Sequence, residues 1–399
     1  MNVLIIDEEV PWPLDTGKRL RSYNLLQRLQ KENQVTYLCY GEPGAELPDC
    51  PNVKIVSLSS PITEQRGLGF YWSLFLNIFS VNPYIVNRHY SSLFAAKAQR
   101  LIELGVFDLL HCEWTPYAEN ILHLFGSIPV VLSAHNVEAQ IWKRYYDTET
   151  NMLKKVYIYI QWRKLEQYES KVAKMFSGVS VVSEPDKEIF VKEYDTQNVV
   201  VVPNGVDEKF FSPGDCNVKP NSMVFTGSMD WRPNQDGVKF FIEEVFPLIR
   251  SRLADASFVV VGRRPPQWLV DLAARTDGVT VTGTVKDVRP YISQSALYVV
   301  PLRVGGGSRL KILEALAMSK VVLSTTIGAE GLEVEENKHI FLEDTARELA
   351  EKACRILNNL EQFSHCGEMG RELILERYTW DAIALYMANL WRDACVQDD

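Results

Sequence analysis

The stretch VGGGSRLKILEALAMSK, Val304 to Lys320, sets three glycines, Arg309 and Lys311 ahead of an apolar helical run that carries one carboxylate, Glu314. It follows the strand-like ALYVVP, so the pattern predicts a helix opening near Ser308. The N–H groups of Gly306 and Gly307 would be free to approach an anion there. Arg309 and Lys311 add positive charge where a phosphate would lie. Glu314 stands among Ile312, Leu313, Ala315, Leu316 and Ala317, a setting that is costly for a carboxylate unless it is paired or hydrogen-bonded. Ribose hydroxyls would meet that need. A solvated Lys311–Glu314 pair at i,i+3 would account for the same residues without a ligand.

Other chemistries lack their residues. No G-x-G-x-x-G follows the first strand, where Asp15-Thr16-Gly17-Lys18 offers a single glycine, and no P-loop spacing occurs. The zinc-protease, nucleophile-elbow and deaminase patterns are missing as well. No Asp-x-Asp or other metal-ligand spacing is evident, so neither a metal nor a cofactor is expected.

The elements that must position these residues alternate almost throughout. Apolar runs at Asn2–Ile6, Gln34–Tyr40, Val53–Leu58, Phe107–Cys112, Pro129–Ala134, Gly178–Ser183 and Val199–Val202 read as strands, with amphipathic stretches such as Lys18–Lys31 between them. After the break at VVPNGVD the alternation restarts at Met223–Gly227, Phe258–Gly262, Val279–Val281, Ala296–Pro301, Val321–Thr325 and His339–Leu342. Continuous apolar strands alternating with helices imply parallel sheets covered on both faces. The expected fold is α/β, with two doubly wound Rossmann-like domains facing a cleft. They span residues 1–203 and 204–376, and a terminal helix over 377–399 packs back on the first. Ligands of such sheets bind beyond the carboxyl ends of the strands.

Bulk properties narrow the partners. The 399 residues carry a net charge of −9, which argues against nucleic acid. Seven cysteines, none as C-x-x-C, form neither a zinc nor a disulfide framework. The opening MNVLIIDEEV is a short apolar run followed by three acids, unlike a secretory signal, and no apolar run is long enough to span a bilayer. A cytoplasmic protein is expected. Lys154 to Phe176, with six basic and two acidic side chains among aromatics, and the apolar FYWSLFLNIF, Phe70 to Phe79, could touch a membrane surface peripherally. A domain core with a solvated basic face accounts for them too.

The run RLKILEALAMSKVVLSTTIGAEGL resembles the carboxyl-terminal signature of retaining GT-B glycosyltransferases of family 4. SAHNVE (Ser133–Glu138), VVSEPD (Val181–Asp186), VVPNGVD and FTGSMDWRPNQDG (Phe225–Gly237) occur in that family's order. The resemblance implies transfer of a sugar from a nucleotide-sugar donor, held mainly by the second domain, to a glycan or lipid-linked hydroxyl acceptor on the first. Bacterial cell-surface polysaccharide, lipopolysaccharide or glycolipid synthesis is the implied setting. It further implies front-face attack without an enzymic nucleophile. Carried over residue by residue, Glu314 holds the ribose, and Gly306 stands where the family places a first glutamate. Ser228, after Gly227, and Asn234 or Gln235 stand where cations are usual, which leaves Arg309, Lys311 and then Arg232 for the diphosphate. His135 falls where a histidine contacts the donor. Gly17 frees the first loop to approach sugar or acceptor, with Glu113 and Trp114 on the acceptor side. A nucleotide-sugar epimerase and a non-catalytic nucleotide-sugar sensor stay open as alternatives.

Overall fold

The structure, a computed structural model, describes residues 1–59, 67–214, 216–304 and 309–396. It divides into two compact units, Met1–Pro203 together with the chain from Ile383 onward, and Asn204–Ala382. Each is described in its own right.

The first unit is built on seven strands: β1 (Asn2–Glu9), β2 (Gln34–Tyr40), β3 (Val53–Leu58), β4 (Leu109–Cys112), β5 (Val130–Ala134), β6 (Gly178–Val181) and β7 (Val199–Val201). All pair in parallel, in the order β3-β2-β1-β4-β5-β6-β7. Residues of β4, β5 and β6 are buried throughout, as strands covered on both faces must be. Strand order reverses between β1 and β4. Ile6 pairs with Cys112 across that point, so Asp7 and Glu113 both follow the last β1–β4 pair.

The second unit has six parallel strands, β8 (Lys219–Thr226), β9 (Ser257–Val261), β10 (Val279–Val281), β11 (Ser295–Val300), β12 (Val322–Ser324) and β13 (Phe341–Leu342), in the order β10-β9-β8-β11-β12-β13. Here the order reverses between β8 and β11. The central β11, SALYVV, is wholly buried. Two apolar cores, one per unit, pack helices onto these sheets.

The strands match the alternation in the sequence, and their ends show where side chains overrode it. β1 runs on to Glu9 because its acids find partners: Lys18 Nζ lies 2.5 Å from Asp7 Oδ1, and Arg19 pairs with Glu9. The helix Gly17–Leu29 starts at Thr16, whose hydroxyl accepts from Arg19 N. From that helix the buried Arg21 donates to Val202 O and Pro203 O, at 2.7 and 2.6 Å, and so fixes the end of the first unit's chain.

Two boundaries expected from sequence shift. The second unit extends to Ala382 rather than to residue 376, because Tyr378 and Trp380 are buried in it. Val206 N donates to Tyr378 O, and the Trp380 indole lies against Gly205, where a Cβ would come within 2.7 Å of the ring. The final helix accordingly begins at Trp380, not Arg377, with Thr379 extended ahead of it. Its residues from Ile383 belong to the first unit. There Leu390 fills the space that Gly178 leaves, and Trp391 Nε1 donates to His111 Nδ1 at 2.8 Å.

Candidate functional site

In the second unit the loops after β8 and β11 flank the reversal of strand order, where open parallel sheets hold ligands. Gly227 closes β8. A Cβ there would lie 2.9 Å from Asn234 Nδ2 and 3.0 Å from Lys311 Nζ, and one on Gly262, which closes β9, would fall 1.8 Å from Gly227 O. Close approach requires both glycines. Asn234, buried at the start of the helix Arg232–Phe240, donates to Ser228 O at 2.8 Å and accepts at Oδ1 from Lys311 Nζ at 2.6 Å. The same ammonium sits 4.4 Å from the centroid of the Phe225 ring. Lys311 therefore reaches from its own helix, Leu310–Ala317, to the loop after β8.

Burial pulls the Lys311 pKa down to about 7, with Arg309 acting in the same direction and Glu314 against it. Burial pushes Glu314 up to about 7, opposed by Lys311. Among the described residues, none donates a hydrogen bond to the Glu314 carboxylate. The site thus holds a poorly solvated ammonium beside two glycines and a poorly solvated carboxylate one turn further on. An anion and a pair of hydroxyl donors would relieve both.

In the first unit a denser network surrounds the reversal between β1 and β4. His135, after β5, meets Glu113 Oε2 through Nε2 at 2.8 Å. Burial alone would raise the Glu113 carboxyl, but the His135 hydrogen bond and the charges of His111, His135 and Arg21 outweigh it and hold the pKa at about 2. An ionised carboxylate only accepts, so His135 Nε2 carries a proton and Nδ1 is the nitrogen left for a ligand. His111 is fixed by a similar inference. The indole of Trp391 can only donate, so His111 Nδ1 accepts and the neutral ring keeps its proton on Nε2, 3.1 Å from Ser133 Oγ. Burial, the largest cause, lowers the His111 pKa to about 4.

Beside this pair, Lys18 is held up at about 12. Burial pulls it down, but Asp7 and Glu8 more than compensate. Asp7 also accepts from Tyr37. Trp114 lies between the Lys18 ammonium (5.4 Å to the ring centroid) and the His89 ring (4.8 Å), and its Nε1 donates to Glu138 Oε1 at 2.9 Å. Among the described residues, no group of three or more His, Cys, Asp or Glu side chains is placed to hold a metal ion.

Residues 20–210 match the family model described as Glycosyltransferase Family 4, and residues 220–359 match Glycosyl transferases group 1. The chain belongs to the family 4 glycosyltransferases. It is 20% identical over 359 residues to an uncharacterized 44.6 kDa protein in the cps region of Klebsiella pneumoniae, covering 85% of this chain and 87% of that protein. Among solved structures it is similar to sucrose-phosphate synthase from Thermosynechococcus elongatus, with a TM-score of 0.72 and 18% identity over 98% of each chain. It is also similar to Anabaena HepE in complex with UDP-glucose, with a TM-score of 0.64 and 13% identity over 98% of each chain. At these identities the likeness shows the fold, GT-B, with two α/β units of parallel sheets.

Within this glycosyltransferase, Gly227 and Lys311 meet in the second unit, and Glu314 is near enough to Lys311 for each to act on the other's pKa. Arg309 is near enough to act on Lys311, but its bonds run elsewhere. It caps the start of the helix Leu310–Ala317 with its guanidinium turned to Ile327 O at 2.6 Å and Glu330 Oε2 at 3.3 Å, and it is nearly fully buried. The helix starts two residues later than expected. Arg232 is exposed at the first position of its helix. Gly306 and Gly307 lie outside the described residues. In the first unit His135 meets Glu113, and Gly17 is the first residue of its helix, exposed and without a left-handed φ.

Sequence reasoning missed Arg263. Its Nε donates to Ser228 Oγ at 2.8 Å, and its carbonyl accepts from Met229 N at 2.9 Å. A cation from the loop after β9 thus stands beside the serine at which the sequence lacks one. The signal was present: Gly262-Arg263 follows β9 as Gly227-Ser228 follows β8. Asp7, Lys18, His89 and Glu138 were missed in the first unit, although the acids after the first apolar run marked the position.

Proposed function

We propose that this glycosyltransferase takes its sugar from a nucleoside-diphosphate sugar and passes it, with retention of configuration, to a hydroxyl of a glycan or lipid-linked acceptor during synthesis of a surface polysaccharide. The observation that carries the proposal is the Lys311–Glu314 arrangement beside Gly227. An ammonium at a glycine-lined strand end suits a phosphate, and a carboxylate with no donor among the described residues suits the two hydroxyls of a ribose. Arg263 adds a second cation toward Ser228. As the diphosphate leaves it gains charge, and fixed cations in a poorly hydrated site stabilise that charge most.

Support for the donor class comes from HepE, solved with UDP-glucose at the same fold. Support for the setting comes from the relative in a cps region. In the first unit His135 is proposed to act on the sugar and acceptor hydroxyl, with Glu113 fixing the orientation of the ring. Attack of the acceptor on the face that the diphosphate leaves requires no enzymic nucleophile, and no divalent ion is needed where Lys311 and Arg263 supply the charge. A hexose is the proposed cargo.

The test is a thermal-shift series with UDP-, GDP-, ADP- and dTDP-sugars, since a ligand of the native state raises apparent stability. Stabilisation by one base, followed by formation of a glycoside with the donor's anomeric configuration, is the expected result. Absence of stabilisation by every nucleoside diphosphate would overturn the assignment.

A further inference from the structure

The first unit carries a surface that its fold does not use. In the helix Leu68–Asn77 and the turn after it, Tyr71, Trp72, Phe75, Leu76 and Phe79 recur at helical spacing and all face solvent, with Phe79 77% exposed and Trp72 61%. The rings order one another: Trp72 stacks on Phe75 at 5.5 Å, and Phe75 meets Phe79 edge-on at 5.6 Å. The other side of the helix is anchored. Buried Asn77 accepts from Gln161 Nε2 at 2.8 Å, and Lys164 Nζ donates to the carbonyls of Asn77, Ile78 and Ser80. The partner in these bonds is the helix Met152–Ala173, and it too shows an apolar stripe, with Met152, Leu153, Val156 and Tyr159 exposed. Beside that stripe stand Lys154, Lys155 and, from the preceding helix Glu138–Thr148, Lys143. Lys155 lies 4.7 Å from the Tyr146 ring.

Charge selects the occupant. In a chain of net charge −9, residues 67–102 and 150–165 contain no aspartate or glutamate, and the cations beside the exposed stripe of the second helix are Lys143, Lys154 and Lys155. A second copy docking through the same face would set cations against cations. Exposed Trp and Tyr rings flanked by Lys and Arg match the boundary between acyl chains and anionic headgroups. We propose that this face of the first unit docks on an anionic lipid bilayer, with the Tyr71–Phe79 stripe entering the interface and the Lys154–Lys155 end lying over the headgroups. Among the described residues no helix is long and apolar enough to cross a membrane, so the contact is peripheral. This deepens the proposed function by placing a lipid-linked acceptor within the same unit's reach, and its readout does not depend on turnover.

The test uses the full chain with sedimenting vesicles of neutral phosphatidylcholine, with and without about a third phosphatidylglycerol. Binding to the anionic vesicles, weakened by salt, is expected. Trp72→Ser with Phe79→Ser should lower the partition coefficient at least about tenfold, as loss of buried aromatic area requires. Lys154→Glu with Lys155→Glu should lower it on anionic vesicles alone. Melting temperature and nucleotide affinity should stay at wild-type values in both variants, which separates failure of this proposal from failure of the transferase reading. Absence of vesicle binding, or equal binding to neutral vesicles, overturns the proposal. So does loss of a dimer in the Trp72/Phe79 variant without change in vesicle binding, which would assign the face to a second copy of the chain.

Discussion

Replacing Lys311 by Met should make the protein more stable and a poorer nucleotide binder at once. The side chain keeps its length and loses its ammonium. In the folded protein the pKa falls from 10.5 to about 7, and at about 1.4 kcal/mol per pH unit this sets an upper bound of about 5 kcal/mol on what the buried charge costs. Two effects reduce the gain. The side chain retains some contact with water, and Asn234 Oδ1 loses its donor at a cost of about 1–3 kcal/mol. A net gain of about 1–2 kcal/mol remains, worth roughly 2–4 °C in Tm per kcal/mol for a unit of this size.

The sign with pH follows from a depressed pKa. The unfolded chain binds the proton more tightly, so the cost of Lys311 is complete below about pH 7 and disappears as pH rises toward 10.5. The advantage of Lys311→Met should shrink over that range. Nucleoside-diphosphate affinity should fall about ten- to hundredfold, the worth of one charge-assisted hydrogen bond of about 1.5–3 kcal/mol. Arg309→Gln is the control with the opposite signature: it should lower Tm by breaking the bonds to Ile327 and Glu330 and leave affinity near wild type. Melting curves and calorimetric titration with the stabilising nucleotide decide the matter. A Lys311→Met protein with lowered Tm and unchanged affinity would show that the ammonium is structural.

Glu314→Gln should weaken nucleotide binding while raising Tm more at about pH 8 than at about pH 5, because the cost of a carboxylate whose pKa is raised to about 7 is complete only above that pH; a pH-independent loss of stability would refute this. Titration with nucleotide should release protons at about pH 6, where Glu314 ionises on meeting the ribose, and take them up at about pH 8, where Lys311 charges on meeting phosphate; heats compared in two buffers would expose a failure to change sign. His135→Ala should reduce turnover far more than affinity for free nucleoside diphosphate, and equal losses would place the ring in folding. Turnover should survive EDTA, and restoration by a divalent ion alone would show that Lys311 and Arg263 do not suffice for the diphosphate.

The architecture was legible because parallel strands buried on both faces must be nearly all apolar, and SALYVV or VVLSA can be little else in a chain that alternates with helices. Glu314 was legible for the converse reason: a carboxylate in an apolar helical run demands a partner. What the sequence hid was direction. Arg309 and Lys311 stand two apart on a helix and so cannot share a face. Which of them reaches the strand end depends on where Asn234 and Ile327 lie, and those residues are 77 and 18 positions away. Arg263 was hidden because Ser228, to which it donates, lies in the loop after a neighbouring strand and carries no charge of its own. Trp391 likewise meets His111 across 280 residues, a pairing that no local pattern announces.

The two units differ in how they treat buried charge, and the difference bears on where the ligand is needed. In the first unit the acids around the reversal of strand order have partners, although burial still raises Asp7 and Glu138. Glu113 has His135, Asp7 has Lys18 and Tyr37, and Glu138 has Trp114. Removing one partner there should cost stability, since the other would be left buried and unpaired. In the second unit, among the described residues, Lys311 meets the neutral Asn234 and the Phe225 ring and Glu314 receives no hydrogen bond, and both are driven toward their neutral forms. Such a site is unfavourable when empty and is relieved by a molecule that brings negative charge and hydroxyl donors together. Free energy withheld from folding is then available to binding, so ligand stabilisation should be large in wild type and should shrink in Lys311→Met and Glu314→Gln even though both variants start from a higher Tm. A variant that is more stable and is stabilised by nucleotide as much as wild type would break that link.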